Sequence, residues 1–414
     1  MLARPSRRNI PGQTFRRDVA DPALWLLKPL AHAVALCLVA GSAEAATAFS
    51  SGWFAAKGAA QQAAAARPGA AGLPGMTPPL AQQQKANQQL QRSLQTLNNT
   101  VAAIAAQQAA QAAGRAVALG SLQTVPDGLG EGGLKVDNSL TQGWLNAKGP
   151  QQTQADGKTN VKIEQTADKA ILNWETFNVG RNTTVEFAQQ SNWAVLNRVN
   201  DPNARASQIQ GQIKGDGTVM LINRNGIVFS GSSQVNVRNL VAAAANITDI
   251  QFRDRGLYFD SNGSQPTFSD AAGKVLVERG ALIETHKPVV STDAGGYTLL
   301  LGKDVVNDGT LNTAKGQTVL GAGDRFYIRK GSGTEGNTFS TTFGNEVTPG
   351  FKAGESGGRV SNSGLIQAAT GDITLTGHEV EQGGVLLSST SVATRGTIHP
   401  VSYTHLTLPT ICSV

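Results

Sequence analysis

Side chains able to do acid–base or metal chemistry are few in this chain, and their spacing is poor. The five histidines, His32, His286, His378, His399 and His405, are scattered. None stands at metal-ligand spacing from another His or from a Cys. Neither a metal nor a cofactor is expected. Glycan hydrolysis would need two carboxylates flanking the scissile bond. Asp254, Asp260 and Asp270 are close in sequence, but they fall in a turn-rich stretch and read as solvated turn residues. The polar side chain that recurs with a pattern is asparagine. Asn173, Asn197, Asn223, Asn225, Asn236 and Asn239 stand in or beside strand-like segments. There a short amide can cap a turn or tolerate a left-handed backbone. Trp174 and Trp193 read as core or cap packing rather than as ligand contacts.

Such residues need strands and tight corners to hold them, and the composition favours both. Hydrophobic residues make up 40% of the 414, but aromatics only 5% and charged residues only 15%, and there are 47 glycines. A helical enzyme of this length would carry more surface charge. The net charge of +6 is spread thinly. Residues 1–45 account for six basic and three acidic groups, leaving 29 and 26 beyond them. No Lys/Arg stripe remains, so no nucleic-acid partner is expected. The two cysteines, Cys37 and Cys412, stand near opposite ends. Their rarity between suits a chain that crosses a membrane unfolded, or simply a genome poor in cysteine.

The chain reads as six stretches. Over 1–45, a basic segment is followed by the apolar run Leu30–Ala40 and by Ala43 and Ala45 at small-x-small spacing. This order predicts a cleaved signal peptide addressed to the Sec translocon; an uncleaved N-terminal anchor is the alternative. The run is too short to span a bilayer. Residues 46–80 are Ala-, Gly- and Pro-rich and read as a flexible linker. Residues 81–118 are rich in Ala and Gln, with Leu90, Leu94, Leu97, Val101 and Ile104 spaced 4, 3, 4 and 3. That spacing predicts a helix with a short seam, either a coiled coil or, as we favour, a helix docked on its own chain. Residues 119–275 and 276–400 are strand-like and broken by Asn-Gly, Asp-Gly and Gly-Gly steps. Residues 401–414 lose this rhythm and read as a non-native tail.

Within 276–400 the sequence repeats. Gly296-Tyr297-Thr298-Leu299-Leu300 aligns with Gly316-Gln317-Thr318-Val319-Leu320, and Asp304 falls on Asp324. Gly309-Thr310-Leu311-Asn312 aligns with Gly364-Leu365-Ile366-Gln367, Gly384 opens a further unit, and Gly280-Ala281-Leu282 looks like an earlier one. A period near 20 residues with short strands predicts one β-solenoid coil per repeat, because no coil can bury its apolar side chains alone. An antiparallel β-sandwich is the competing fold.

Three segments carry a resemblance. They are Lys169–Gly180, containing Asn173-Trp174; Asn192–Val199 with Ser207–Gly211, containing Asn197; and Ile222–Phe229 with Gln234–Val237, containing Asn223-Arg224-Asn225-Gly226 and Asn236. In this order, behind a signal peptide, they resemble the secretion domain of the filamentous-haemagglutinin family over roughly residues 120–260. That family often has Pro where Arg224 stands. Pro would fix φ there, so the resemblance leaves this corner's geometry open. The resemblance implies an all-β, right-handed parallel β-helix, here with an N-terminal Ala/Gln-rich helix. It also implies two-partner secretion through an outer-membrane β-barrel transporter bearing POTRA domains. The chain would pass through the periplasm of a Gram-negative bacterium, to be secreted or held at the cell surface. The implied protein is a non-enzymatic adhesin with a host-cell receptor or glycan as partner. A polysaccharide-degrading β-helix enzyme and the N-terminal part of a contact-dependent inhibition effector are the alternatives.

Overall fold

The computed structural model describes residues 80–139, 143–259, 265–288, 294–331, 344–354, 357–389, 397–407 and 412–413, all within one compact unit. The expected signal peptide, and all of the expected linker but its last residue, lie outside them.

Strand pairing begins with two antiparallel pieces. After helix α1 (Leu80–Gly120), β1 (Leu134–Val136) pairs antiparallel with β4 (Lys169–Phe177). β2 (Gln151–Ala155) forms a hairpin with β3 (Lys158–Glu164). The turn residues Asp156 and Gly157 have φ of 50° and 70°, the geometry that matches the twist of flanking strands. The chain then winds through three faces whose strands pair in parallel. The first holds β3, β5 (Thr183–Ala188), the starts of β8 (Gln212–Ile222) and β10 (Gln234–Ala243), and β12 (Leu282–Thr285). It continues through β15 (Thr310–Asn312), β20 (Leu365–Ala369), β22 (Val385–Ser389) and β24 (Cys412–Ser413). The second holds β4, β6 (Ala194–Val199), the ends of β8 and β10, β13 (Tyr297–Gly302), β16 (Gln317–Ala322), and the starts of β21 (Asp372–Gln382) and β23 (Thr397–Thr407). The third holds β7 (Ser207–Ile209), β9 (Ile227–Phe229), β11 (Lys274–Val277), β14 (Asp304–Asn307), β19 (Arg359–Asn362) and the ends of β21 and β23. This is a parallel β-helix, not a sandwich. β11 crosses from residue 275 to 276 without a break, so the two expected strand regions form one shaft.

Alternation puts one side chain in two into the shaft, and stacking turns those positions into columns. On the first face Val161, Val185, Ile213, Val235, Ile283, Leu311, Ile366 and Leu386 are rung partners in sequence and all are buried. On the third face the inward column begins with Ile209, Phe229 and Val277 and then becomes Asn307, Asn362 and Gln382. Asn307 Nδ2 donates to Asn362 Oδ1 at 2.7 Å, and Asn362 Nδ2 to Gln382 Oε1 at 2.7 Å. This buried ladder pairs the amides from coil to coil, with the Asn307 Oδ1 at its start left without a partner.

The second face is covered on its outer side too. A loop after β10, with a π-helical turn at Gln251–Arg255, and the antiparallel pair β17 (Arg325–Lys330) and β18 (Asn345–Gly350) lie over it. Phe252, Phe268, Phe326 and Ile328 pack there against Leu196, Met220, Val241, Leu299 and Val319. Burial on both sides explains why these strands read as continuous apolar runs such as Leu299-Leu300-Leu301 rather than as alternations.

The repeat register is as the sequence predicts: Leu299 pairs with Val319, Leu311 with Ile366, and Ile366 with Leu386. Two alignments differ. Ile283, not Leu282, is the partner of Leu311, so the Gly280 unit is shifted by one residue. Asp324 does not continue the Asp304 rung, because the chain leaves the shaft there for β17 and resumes at β19. At the corners before β20 and β22 the repeat needs glycine. A Cβ on Gly364 would lie 2.2 Å from the Gly309 carbonyl oxygen, and one on Gly384 would lie 2.1 Å from that of Gly364. Residues 401–407, expected to be a tail, extend β23 along β21, leaving Val401, Tyr403 and Leu406 exposed.

α1 lies along this glycine corner. Its Gln111 Nε2 donates to the Asp308 carbonyl at 2.7 Å, and its Oε1 accepts from Gly280 N at 2.7 Å. Arg115 donates to the carbonyls of Ser232, Ser233 and Gly280, and Gln107 to that of Ser363. The helix is docked on its own shaft, as favoured, but through amides and a guanidinium as much as through the leucine seam.

Candidate secretion-recognition site

The residues singled out by sequence divide between the interior, a corner and the surface of the first coils. Trp174 is fully buried inside β4, with ring centroids 4.8 Å from Trp144 and 5.2 Å from Phe177. Its Nε1 donates to Asn197 Oδ1 at 3.0 Å, and Asn197 Nδ2 donates to the Met220 carbonyl at 3.2 Å. Asn197 is thus an interior residue that couples one coil to the next. The next inward residues in its column are Leu172 on one side and Leu221 on the other. Asn173 points the other way, under the segment that carries Trp144, and its backbone carbonyl accepts from Trp144 Nε1 and from Asp137 N. Trp193 is only half-buried, at the start of β6, and is not core.

Asn223 to Gly226 form the corner between the second and third faces. Asn223 is buried; its Oδ1 accepts from Asn225 N at 2.9 Å, and its Nδ2 donates to the Arg205 carbonyl and to Ser207 Oγ, both at 3.0 Å. Gly226 N closes the turn onto the Asn223 carbonyl. Gly226 has φ of 124°, and a Cβ there would meet the Lys274 carbonyl at 2.9 Å, so both conformation and space demand glycine. The expected positive φ therefore belongs to Gly226 and not to Asn225. The geometry left open by the absence of Pro is settled by the three Asn223 hydrogen bonds. Arg224 is exposed and donates from Nε to the Asp270 carbonyl at 3.2 Å.

Asn239 links three coils: Nδ2 donates to Thr218 Oγ1 at 3.0 Å and Oδ1 accepts from Tyr297 N at 3.1 Å. Asn236 caps nothing. It is exposed on the outer first face between its rung partners Lys214 and Glu284.

Several polar anchors lacked a sequence signal. Asp137 accepts from Ser139 and from Asn200 Nδ2, tying the β1 cap to the corner after β6. Burial pushes this carboxyl up, but those hydrogen bonds outweigh it and hold it below the ordinary carboxylate range. Asp127 behaves alike: burial raises it, and bonds from Gln123, Asn182 and Thr183 bring it lower. Asn178 joins the cap to β7, donating to the Gly132 carbonyl and accepting from Gln208 N. Only contacts far apart in sequence reveal these roles.

The carboxylates weighed for hydrolysis are described at two of three positions. Asp254 is exposed in the π-helical turn, Asp270 is exposed at φ 53°, and Asp260 lies outside the described residues. Among the described residues, no group of three His, Cys, Asp or Glu side chains could hold a metal ion.

A capped parallel β-helix whose early coils carry buried Asn and Trp couplings is a shaft of stacked coils. Residues 139–399 match the family model described as TPS secretion domain, and the chain belongs to this two-partner secretion family. It is 31% identical over 217 residues to the Heme/hemopexin-binding protein of Haemophilus influenzae (strain KW20 Rd), covering 52% of this chain and 21% of that protein. A second Heme/hemopexin-binding protein of Haemophilus influenzae is 36% identical over 110 residues, covering 26% of this chain and 11% of it. The chain therefore spans about a fifth of the first relative's length. The crystal structure of the HMW1 secretion domain from Haemophilus influenzae aligns at a TM-score of 0.49 and 23% identity, covering 64% of this chain and 65% of that one. The protein is a secreted one whose domain directs two-partner secretion, which implies an outer-membrane transporter as partner.

Proposed function

We propose that the N-terminal coils act twice in export: first as an unfolded signal, then as the folding seed outside the cell. In this reading residues 1–45 deliver the chain to the Sec translocon, and POTRA domains of the transporter take the segment 119–275 in the periplasm. The observation that carries it is the antiparallel cap. β1 closes the second face onto β4 and β2 closes the first onto β3, so the stack has a finished N-terminal end and an edge that grows toward the C-terminus. A chain emerging N-terminus first would find its template already complete. Asn173, Trp174, Asn197, Asn223, Gly226 and Asn239 then serve by fixing the first coils. Arg224 and Asn236, at the surface of the folded coils, and Asn225, half-buried at the corner, are not needed for interior packing, and we read them as contacts that the still unfolded chain makes with the transporter.

Export from cells with and without the cognate transporter gene tests this. Transporter-dependent release is expected. Arg224→Ala and Asn236→Ala should lower release without changing the melting temperature of the purified chain, whereas Asn197→Ala should lower both. Full release in the absence of the transporter would end the reading. The passenger is read as a surface adhesin with a host receptor or glycan as ligand; the haem- and hemopexin-binding relatives make haem or hemopexin a specific ligand to assay.

A further inference from the structure

The face of α1 that meets the shaft is one strip. Thr100, Ile104, Gln107, Gln111, Gly114 and Ala118, spaced 4 and 3 alternately, are all buried or half-buried. Along it the helix runs against the direction of stacking: Arg115 sits at the Ser232–Ser233 and Gly280 corners, Gln111 at Gly280 and Asp308, and Gln107 at Ser363. Moving toward the start of α1 therefore moves toward later coils. Two consecutive docking residues are four apart, about 6 Å of helix, against a coil spacing of about 4.8 Å. An inclined helix thus meets about one corner per turn.

This strip outruns the shaft. Leu90 lies 17 residues before Gln107, about 26 Å of helix or roughly five coil spacings. Beyond the Ser363 corner the described residues supply the Gly384 corner and β24. Leu90 continues the 3-4 spacing through Leu94 and Leu97, yet it is 53% exposed.

We propose that the Leu90–Leu97 end of α1 is a docking strip for further β-solenoid coils stacked on β23 and β24. Continuity with the established interface selects this occupant over a second copy of the helix. Thr100 and Ile104, on the same face, are already buried by the shaft at 5% and 1% exposure. A coiled-coil partner would have to displace the shaft from the face it needs. The helix is then a strap that grips a new corner with each coil added.

Hydrogen exchange on the 414-residue chain and on the exported protein as recovered from its host decides the matter. In the 414-residue chain, amides of 87–97 should exchange far faster than those of 107–118. In the exported protein they should slow by at least about 100-fold, because opening then requires undocking from packed coils. Leu90→Asp with Leu94→Asp should return 87–97 to fast exchange and leave 107–118 unchanged. If that variant misfolds, Leu90→Ser alone makes the same test. Fast exchange of 87–97 in the exported protein would overturn the proposal. So would protection that grows with concentration alongside a dimer mass in sedimentation, which would assign the strip to a second copy.

Discussion

Asn197 sits in a column where its neighbours above and below are leucines, and it accepts the Trp174 indole proton while donating to the Met220 carbonyl. Replacing it with Leu keeps the number and branching of heavy atoms but strands one buried N–H and one buried C=O. We expect a loss of about 1–3 kcal/mol in unfolding free energy. Trp174→Phe in that background should recover part of it, since no indole proton is then left unpaired; a double-mutant cycle measured by chemical denaturation checks this. Three carboxyls give a pH test. Asp127, Asp137 and Asp324 are each raised by burial but brought lower overall by hydrogen bonds, those of Asp324 coming from Lys303 Nζ and Lys352 N. A carboxyl with a lowered folded pKa stabilises fully above its unfolded value near 4 and loses that contribution as pH falls through the folded value. Stability should therefore be flat above about pH 5 and fall below about pH 4. Asp137→Asn should be less stable at neutral pH and show a shallower fall, as followed by thermal melts from pH 3 to 7.

Secondary elements here are held at corners as much as along strands. The Gly280 corner must clear α1: its φ is 95°, and a Cβ would lie 2.3 Å from Arg115 N. Gly280→Ala should lift the helix from the shaft and leave the coils stacked. We expect faster hydrogen exchange over 104–118 with unchanged exchange in β13 and β16. Arg115→Ala should do the same more mildly, because it frees three carbonyls without a clash. Legibility in the sequence follows the same division. Strands in the 20-residue repeat were readable because each rung copies the one before, down to the pairing of Leu299 with Val319. The role of Asn223 was readable as a corner, since the Asn-Gly step two residues on carries its own backbone preference. Asn197 was not, because an interior asparagine and a corner asparagine look alike until the coil phase is known. Gln107, Gln111 and Arg115 were missed for a similar reason: the apolar seam stops at Ile104, and their partners are backbone carbonyls that leave no mark on composition.

At the scale of the whole molecule, the described coils form a shaft whose N-terminal end is closed by the antiparallel cap. The cap and the Trp174–Asn197 coupling lie in the first coils, so damage there should propagate through the stack, while damage near β20 or β22 should not reach back. If the first coils template the rest, as proposed above, they should leave the transporter first, and the cap stands at that end of the stack. Parallel, in-register stacking of the coils underlies each of these expectations, and disulfide trapping in the exported protein, with Cys412→Ser as background, reads it directly. Lys214 and Asn236 are rung partners on exposed outer positions, and Glu284 is the next in the column. Adjacent rungs place Cα atoms about 4.8 Å apart, within disulfide reach, and rungs two coils apart about 9.6 Å, beyond it. Lys214→Cys with Asn236→Cys should cross-link under mild oxidation, and Lys214→Cys with Glu284→Cys should not. Efficient cross-linking of the second pair, or failure of the first in folded, secreted protein, would contradict the stacked-coil account.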